Sequence, residues 1–486
     1  MSGEHTIRFL MDGEVHTVLD FDPTTTVLQY LRDHLGRCGT KEGCAEGDCG
    51  ACTVVLAELV DNKIEYRAIN ACIRFLPTLD GKALLTVESL KAAAGGELHP
   101  VQRAMVECHG SQCGFCTPGF VMSLYALYRT DRNPGADDVC HTLSGNLCRC
   151  TGYRPILAAA RRMYEYPDDI GATGDAELRK QLLAIRVTNE KRLTFAGSTY
   201  VAPTTVAEFA LALAAQPHAT ILAGGTDVGL RVTKQHAELP AIVYIGSIAE
   251  LKHIVRTDQH LEIGAGVSLG DAFAALLAEY PDLREIARRF ASPPICNAGT
   301  LCGNIANGSP IGDTMPALIC LGATVVLRSG AVSRNVALED FYVDYMKTDL
   351  RPGEFVAAVR VARARKDQLI RSYKIAKRFE QDISAVCGAF AIELAAGRVR
   401  SARVCFGGMA GTPRRAGACE QALIGADWNP AGTGKAIQAL ARDFQPITDF
   451  RASQAYRIRV AGNLLRRFVA ETSKAGENTS VWSYAG

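Results

Sequence analysis

Three cysteines within nine residues constrain this chain more than any other feature of its sequence. The segment GCAEGDCGACTVV holds Cys44, Cys49 and Cys52, and a fourth cysteine, Cys72, follows further along. The spacing is therefore C-x4-C-x2-C with one remote partner. A loop that brings three thiols so close together must wrap tightly around a shared ligand.

This first cysteine set has the spacing with which plant-type ferredoxins bind a 2Fe–2S cluster. Gly43, Gly47 and Gly50 interrupt the loop, and glycine adopts positive φ without steric cost. Backbone N–H groups that turn inward in such a loop point at thiolate and sulfide sulfur. A structural zinc site is the alternative, although zinc sites usually take cysteines in two separated pairs. We expect a 2Fe–2S cluster here.

A second cysteine set consists of two close pairs in the segments GSQCGFCTPGF and LSGNLCRCTGYRP. Its members are Cys113, Cys116, Cys148 and Cys150. Thr117-Pro118 and Arg154-Pro155 follow the pairs and predict helix starts. Two helix N-termini favour a negatively charged ligand. The spacing alone leaves a cluster, a zinc site and a redox dithiol open.

Composition excludes several classes of function. The chain has 486 residues, with 53 basic against 51 acidic side chains and a net charge of +2, so no basic surface for nucleic acid is indicated. No run of apolar residues is long enough for a membrane span, and the N-terminus lacks the apolar core of a signal peptide. We expect a soluble, cytoplasmic chain. Its 17 cysteines, 11 of them before Thr151, then indicate metal or redox chemistry rather than disulfides.

Hydrophobic periodicity divides the chain into five stretches. We predict a small α+β domain over residues 1–86, a helical domain over 87–166, a polar linker over 167–190, a glycine-rich α/β domain over 191–365 and an α+β domain over 368–475. The first domain includes hairpin turns at Asp12-Gly13 and Asp61-Asn62.

Two glycine-rich loops suggest a dinucleotide site. The segment TILAGGTDVG (residues 220–229) predicts a strand and a turn whose amides could cradle a pyrophosphate. The segment NAGTLCGNIANGSPIGD (297–313) is too long and too polar for an ordinary connection. The G-x-G-x-x-G fingerprint of Rossmann domains is missing.

Taken in order, GCAEGDCGACTV, QCGFCTPGF and GNLCRCTGYRP resemble the iron–sulfur part of the xanthine dehydrogenase/molybdenum hydroxylase family. AGGTDVG and NAGTLCGNIANGSPIGDTMPAL resemble its flavin domain. The family's molybdopterin-binding region is not found before Gly486. The arrangement therefore resembles the small (XdhA-type) subunit of a two-gene enzyme, whose large (XdhB-type) subunit binds molybdopterin.

The resemblance implies a multidomain α+β fold. It comprises a β-grasp ferredoxin-like domain, a helical 2Fe–2S domain, a two-subdomain FAD-binding domain of the vanillyl-alcohol-oxidase (PCMH) type and a C-terminal α+β domain. One 2Fe–2S cluster would bind Cys44, Cys49, Cys52 and Cys72. The other would bind Cys113, Cys116, Cys148 and Cys150, with Gln112 at the partner interface.

The resemblance also implies a set of FAD contacts. These are Ile221, Leu222, Ala223, Gly224, Gly225, Thr226, Asp227, Phe290, Thr300, Gly303, Asn304, Asp313, Leu350 and Lys374. Without the family, Phe290 and Leu350 would be core residues and Lys374 an exposed charge. The sequence departs from the family at Cys302, where glycine is frequent, and at Gln381, where an acidic residue is expected.

The function that the resemblance implies is electron transfer, without catalytic acid–base residues on this chain. Electrons from hypoxanthine or xanthine oxidation to urate would pass from molybdenum through the two clusters to FAD and then NAD, in a dimer of heterodimers. The alternatives are the same subunit of an aldehyde or N-heterocycle hydroxylase, and a zinc-stabilised interaction protein.

Overall fold

The computed structural model describes residues 6–93, 96–167, 171–473 and 479, and its chain divides into two units. The first comprises Met1–Glu250, Ser268–Gly270 and Ala291–Gly299. The second comprises Leu251–Val267, Asp271–Phe290 and Thr300–Gly486.

The first unit opens with a mixed sheet that carries the first cysteine set. Its strands β1–β5 are Thr6–Met11, Glu14–Leu19, Thr53–Val60, Lys63–Asn70 and Ala83–Leu85. They lie in the order β2-β1-β5-β3-β4, with β1 parallel to β5. The predicted turns are confirmed: Asp12, Gly13, Asp61 and Asn62 all have positive φ, as tight hairpins require. Helix α1 (Val27–Gln29) continues as a π-helical turn, Tyr30–His34, and packs on the sheet.

A helical part follows and carries the second cysteine set. Helices α2–α7 are Val87–Ala93, Pro100–Glu107, Thr117–Thr130, Ala136–Leu143, Arg154–Arg162 and Gly171–Ala184. In α4, every residue from Gly119 to Tyr128 is buried. The predicted linker therefore contains an ordered helix, α7, whose Leu182 is buried and whose Asp175 pairs with Arg129 of α4.

The first unit closes with a four-stranded sheet that shares its core with the cysteine-bearing sheet. Strands β6–β9 are Lys191–Phe195, Ser198–Ala202, Thr220–Leu222 and Ala241–Tyr244, in the order β6-β7-β9-β8. Helices α8 (Val206–Ala215) and α9 (Val228–Thr233) and the helix Pro293–Ala298 accompany them. One continuous core contains Cys72 together with Leu222 and Tyr244, which brings the first cysteine set and the first glycine loop into one packed body.

The second unit contains a five-stranded sheet, a hairpin and several helices. Strands β10–β16 are Ile254–Arg256, His260–Gly264, Thr324–Ser329, Val332–Ala337, Tyr342–Asp344, Lys347–Thr348 and Phe355–Ala362. The sheet order is β10-β11-β16-β12-β13, and β14 pairs with β15. Helices α10–α14 are Leu269–Glu279, Arg284–Arg289, Leu301–Ala306, Thr314–Cys320 and Leu338–Phe341.

The remaining part of the second unit is an antiparallel sheet packed against helices. Strands β17–β20 are Gln368–Ile375, Val386–Ala395, Arg398–Gly407 and Arg414–Arg415, paired in that order. Helices α15–α17 are Gly417–Leu423, Gly434–Asp443 and Gln454–Thr472.

Short 3-10 turns occur in both units, at Leu76–Leu79, Met163–Glu165, Ala249–Leu251 and Pro281–Leu283. None of the helices in the described ranges is both long and apolar enough to cross a membrane.

Candidate functional site

The β3–β4 hairpin brings the first cysteine set together. Its register pairs Thr53 with Asn70, so Cys52 and Cys72 lie beside each other at the open end of the hairpin. The Ala71 N–H also donates to the Cys52 carbonyl, at 3.2 Å. Cys52 contacts Cys72, and the preceding loop adds Cys44, which contacts Cys49 and Cys72. The thiols of four cysteines that are up to 28 positions apart in the sequence thus lie together.

The local electrostatics of the first set favour a bound cation. The N–H groups of Asp48 and Cys49 both donate to Cys44 Sγ, at 3.3 Å. Contacts with Cys49 and Cys72 lower the pKa of Cys44, and the same contacts raise the pKa of both partners. The thiols therefore interact with one another, and a metal would bind them as thiolates. The loop needs glycine, because a Cβ on Gly43 would lie 2.7 Å from Cys49 Sγ.

The second set forms two contacting pairs at helix starts. Cys113 contacts Cys150, and Cys116 contacts Cys148. Helices α4 and α6 begin at Thr117 and Arg154, each with proline in its first turn, so the predicted helix starts are confirmed. Cys113 and Cys150 are exposed, whereas Cys116 and Cys148 are half-buried.

Neighbouring groups hold Cys148, one member of the half-buried pair of the second set, in place. The Cys148 N–H donates to Tyr153 Oη at 3.0 Å, and Cys148 Sγ lies 3.2 Å from Thr151 Oγ1. Burial raises the pKa of Cys116 to about 12. The Phe115 N–H and then Cys150 lower the pKa of Cys113. Each pair thus combines a thiol of lowered pKa, Cys113 or Cys148, with a partner of raised pKa, Cys150 or Cys116.

One hydrogen bond joins the two cysteine sets directly. The N–H of Leu147, next to Cys148, donates to the carbonyl of Cys49 at 3.0 Å. Asn146, which is 3% exposed, reinforces this junction. Its Nδ2 donates to Gly50 O at 3.1 Å and to Thr53 Oγ1 at 3.3 Å. The hydrogen bond thus includes Cys49 of the first set itself and lies one residue from Cys148 of the second set.

Close backbone approach makes this junction rigid. A Cβ on Gly119 would overlap the carbonyl oxygen of Gly50, and one on Gly50 would overlap that of Gly145. Sequence reasoning missed Asn146 and Gly119 as junction residues. The available signal was their place inside the segments GNLCRC and CTPGF, next to the cysteine pairs.

The first glycine loop lies in the first unit, where β8 ends at Leu222. A Cβ on Gly224 would overlap the Ala298 carbonyl, and Gly225 has φ +78°, so both positions favour glycine. Among the described residues, the amides of 223–226 donate no hydrogen bond. Ile221 and Asp227 are exposed, and Ala223 and Thr226 are half-buried. This loop fits an anion-binding cradle.

The second loop lies in the second unit and contains a buried ion pair. Thr300 Oγ1 accepts from Gly303 N–H at 3.0 Å and caps α12. Asn304 Oδ1 accepts from the hydroxyl of Thr314 at 2.6 Å. Lys374 Nζ lies 2.9 Å from Asp313 Oδ2, and both side chains are buried. Lys374 is therefore not the exposed charge that its residue type alone suggests.

The other predicted residues of the second unit are partly or fully buried. Phe290 packs on Phe273, with ring centroids 5.3 Å apart, and Leu350 is half-buried. Cys302 points into the core, where its thiol donates to Ile263 O at 3.7 Å. Gln381 has φ +57°, and its buried amide atoms have no partner among the described residues.

The residues present fit the implied groups. Each cysteine set offers four thiols, the first with two N–H donors, and unpartnered polar atoms, including Asp313 Oδ1 and Ser372 Oγ, occur in the second unit. No group of three or more His, Cys, Asp or Glu side chains in the described ranges has the arrangement of a metal-ion site. The assignment of 2Fe–2S clusters and FAD to these residues therefore depends on the cysteine contacts and on similarity to known proteins.

Four domain families match the chain in sequence order. Residues 10–76 match the 2Fe-2S iron-sulfur cluster binding domain, and residues 86–161 match the [2Fe-2S] binding domain. Residues 193–363 match the FAD binding domain in molybdopterin dehydrogenase, and residues 371–472 match the CO dehydrogenase flavoprotein C-terminal domain. The chain thus has two 2Fe–2S domains and an FAD-binding domain.

Curated relatives are similar along most of the chain. Xanthine dehydrogenase/oxidase of Rattus norvegicus is 31% identical over an alignment of 493 positions, which covers 91% of this chain and 37% of that protein. Xanthine dehydrogenase of Emericella nidulans is 32% identical over an alignment of 507 positions, which covers 91% of this chain and 36% of that protein. The chain therefore spans little more than a third of the length of these relatives.

Solved structures share the fold of more than half of the chain. A chain of reconstituted CO dehydrogenase from Oligotropha carboxidovorans aligns with a TM-score of 0.53 and 27% identity, over 57% of this chain and 97% of that one. A chain of quinoline 2-oxidoreductase from Pseudomonas putida aligns with a TM-score of 0.53 and 23% identity, over 58% of this chain and 99% of that one. With its two 2Fe–2S domains, its FAD-binding domain and these relatives, the chain belongs to the molybdenum hydroxylase family, as an iron–sulfur/FAD subunit.

Proposed function

We propose that the chain is the electron-transfer subunit of a xanthine dehydrogenase, which oxidises hypoxanthine and xanthine to urate with NAD as the final acceptor. The similarity of 91% of the chain to proteins named xanthine dehydrogenase supports this narrower assignment. Iron–sulfur clusters carry single electrons and flavin exchanges one or two, so the combination connects a molybdenum centre to a nicotinamide.

The cysteine interactions support two ligand sets. We propose that Cys44, Cys49, Cys52 and Cys72 would hold the first cluster, and that Cys113, Cys116, Cys148 and Cys150 would hold the second. In the first set, Cys44 interacts with Cys49 and Cys72, and Cys52 interacts with Cys72. In the second set, Cys113 interacts with Cys150, and Cys116 interacts with Cys148.

The proposed FAD ligands are those that the resemblance implies, in two groups. The amides of residues 223–226 would hold the pyrophosphate, because they donate to no described residue. In the second unit, the proposed polar contact is the buried ion pair of Lys374 and Asp313, in which Asp313 Oδ1 has no hydrogen-bond partner among the described residues. Phe290 and Leu350 would contribute apolar contacts.

The observation that carries the proposal is the hydrogen bond between Leu147 N–H and Cys49 C=O. It joins a neighbour of Cys148 to a proposed ligand of the first cluster. A short path of covalent bonds and one hydrogen bond between two redox centres is the arrangement that electron transfer needs. A chain with two independent structural metal sites would not require this contact.

The exposed side of the second set supports a partner protein. Cys113 and Cys150 are exposed, as are Gln112, Phe115 and Leu147. Exposed aromatic and aliphatic residues around a reactive pair suit a buried interface. We propose that a molybdopterin-binding large subunit covers this surface in a cytoplasmic dimer of heterodimers.

A different molybdenum hydroxylase is the main alternative. The CO dehydrogenase likeness covers nearly the whole of that neighbour's chain, and no residue of the proposed sites selects the substrate of a partner subunit. Urate formation from xanthine by the reconstituted complex would separate these alternatives. A colourless protein containing zinc would instead indicate the interaction-protein alternative.

Cys113→Ser tests the proposed electron path. We expect the variant to lose the spin-resonance signal of one cluster, to retain the other signal, and to keep NADH oxidation with artificial dyes. The complex should lose urate formation. Cys108→Ser is the control, because Cys108 is a half-buried cysteine of the same helical part outside both sets. Two unchanged signals in Cys113→Ser would contradict the assignment.

A further inference from the structure

Arg74 connects the first cysteine set to the first glycine loop. It lies two residues after Cys72, and its carbonyl accepts from the Val27 N–H at 2.8 Å, so its backbone belongs to the ferredoxin-like part. Its side chain crosses to the neighbouring sheet. Nη1 donates to Gly224 O at 3.2 Å, and Nη2 donates to Tyr244 Oη at 3.2 Å.

The Arg74 guanidinium is a buried charge without an acidic partner. The residue is 7% exposed, and none of the ion pairs among the described residues includes it. Its Nε has no hydrogen-bond partner there either. An arginine stays protonated in a protein, and an uncompensated buried charge is unfavourable. The fold therefore maintains a positive charge at this place at the expense of stability.

The contact with Gly224 also orients the loop. The C=O and N–H groups of a trans peptide point in opposite directions. Because Arg74 holds the Gly224 carbonyl, the N–H of Gly225 points away from the guanidinium. That N–H donates to no described residue. Arg74 thus turns a loop amide outward, as an anion-binding cradle requires.

We propose that Arg74 is a positioning residue that couples the first cluster to FAD. It would fix the loop that binds the FAD pyrophosphate, and its charge would stabilise the reduced, more negative state of the cluster bound by Cys72. This inference rests on the proposed function, because it needs both cofactors to bind where we place them.

Two substitutions separate the two roles. Arg74→Met removes the charge and both hydrogen bonds, so we expect the FAD dissociation constant to rise at least tenfold, a loss of about 1.4 kcal/mol. The reduction potential of the first cluster should also fall. Arg74→Lys keeps the charge but lacks the planar fork that reaches both oxygens. It should weaken FAD binding while leaving the potential close to that of the wild type.

The measurements are FAD retention, by flavin fluorescence during dialysis, and a spin-resonance redox titration of the full chain. The signal that Cys72→Ser alters identifies the first cluster. Arg8→Met is the control, because Arg8 is an exposed residue of β1 whose loss changes the net charge equally. It should change neither FAD retention nor the potential.

The outcomes distinguish this inference from the proposed function. Wild-type protein without FAD or iron would overturn the proposed function before any variant is made. Fully loaded wild type, with Arg74→Met unchanged in both measurements, would overturn only the role of Arg74. If Arg74→Met does not fold, Arg74→Lys decides: weaker FAD binding at a retained potential supports the inference, and unchanged FAD binding overturns it.

Discussion

Replacing Asn146 by alanine should weaken the junction between the two cysteine sets. Asn146 makes three side-chain hydrogen bonds, donating to Gly50 O and Thr53 Oγ1 and accepting from Ser123 Oγ. Each neutral hydrogen bond contributes about 1 kcal/mol net. Gly50 O keeps its bonds from Thr53. Ser123 is fully buried and loses its acceptor, which adds about 1 kcal/mol.

The expected destabilisation is therefore about 3–4 kcal/mol, a large part of the roughly 5–15 kcal/mol that stabilises a typical domain. If the free energy of unfolding falls by about 2 kcal/mol for each molar of urea, the urea concentration at the unfolding midpoint should fall by about 1.5–2 M. The assay is urea unfolding of anaerobically prepared protein, followed by visible absorbance. That signal reports the metal-binding parts separately from the rest of a multidomain chain.

Asn133→Ala is the matched control, because Asn133 is an exposed asparagine in the same helical part. Its midpoint should stay within about 0.25 M of the wild type, as expected for a surface substitution. Equal midpoints for Asn146→Ala and Asn133→Ala would refute the reasoning, because they would mean that the junction hydrogen bonds contribute nothing to the stability of the metal-binding parts.

Three further predictions concern other parts of the chain. Gly119→Ala would place a Cβ against the Gly50 carbonyl and should lower the free energy of unfolding by about 1–3 kcal/mol in the same urea assay. Asp313→Asn leaves the buried Lys374 ammonium without its carboxylate and should cost about 3–5 kcal/mol in thermal unfolding. Burial, then nearby arginines, lowers the pKa of His99 to about 4 from 6.5, so stability should fall as the pH drops from 6.5 towards 4, and His99→Gln should remove that dependence.

Each of these predictions has a control elsewhere on the chain. Gly417→Ala adds a Cβ that meets nothing within 4 Å, Asp340→Asn changes an exposed carboxylate, and His218→Gln changes an exposed histidine. If Gly119→Ala or Asp313→Asn matches its control, the close packing or the buried ion pair does not stabilise the fold. If His99→Gln keeps the wild-type pH dependence, another group causes it.

The local parts of the fold were predictable because short-range chemistry determines them. The hairpins at Asp12-Gly13 and Asp61-Asn62 need residues that tolerate positive φ, and the structure has positive φ at all four. The spacing of the eight cysteines predicts two sets of four, and their role as cluster ligands stays a prediction. The contacts within each set agree with that grouping.

Long-range contacts between polar residues were not predictable. The predicted linker contains α7, because Asp175 pairs with Arg129 and Leu182 enters a core formed by distant helices. Its own sequence has no strong apolar face and resembles a polar connection. Lys374 is buried because a strand position places it beside Asp313, 61 residues away. Neither partner carries a local signal of that pairing.

The most direct test of the central claim is the iron, acid-labile sulfide, zinc and flavin content of the anaerobically purified chain, combined with spin resonance after reduction. We predict two irons and two sulfides for each cysteine set, one FAD, no stoichiometric zinc, and two unlike 2Fe–2S signals. Zinc in place of iron, a single signal in fully loaded protein, or the absence of FAD would contradict the proposed electron path.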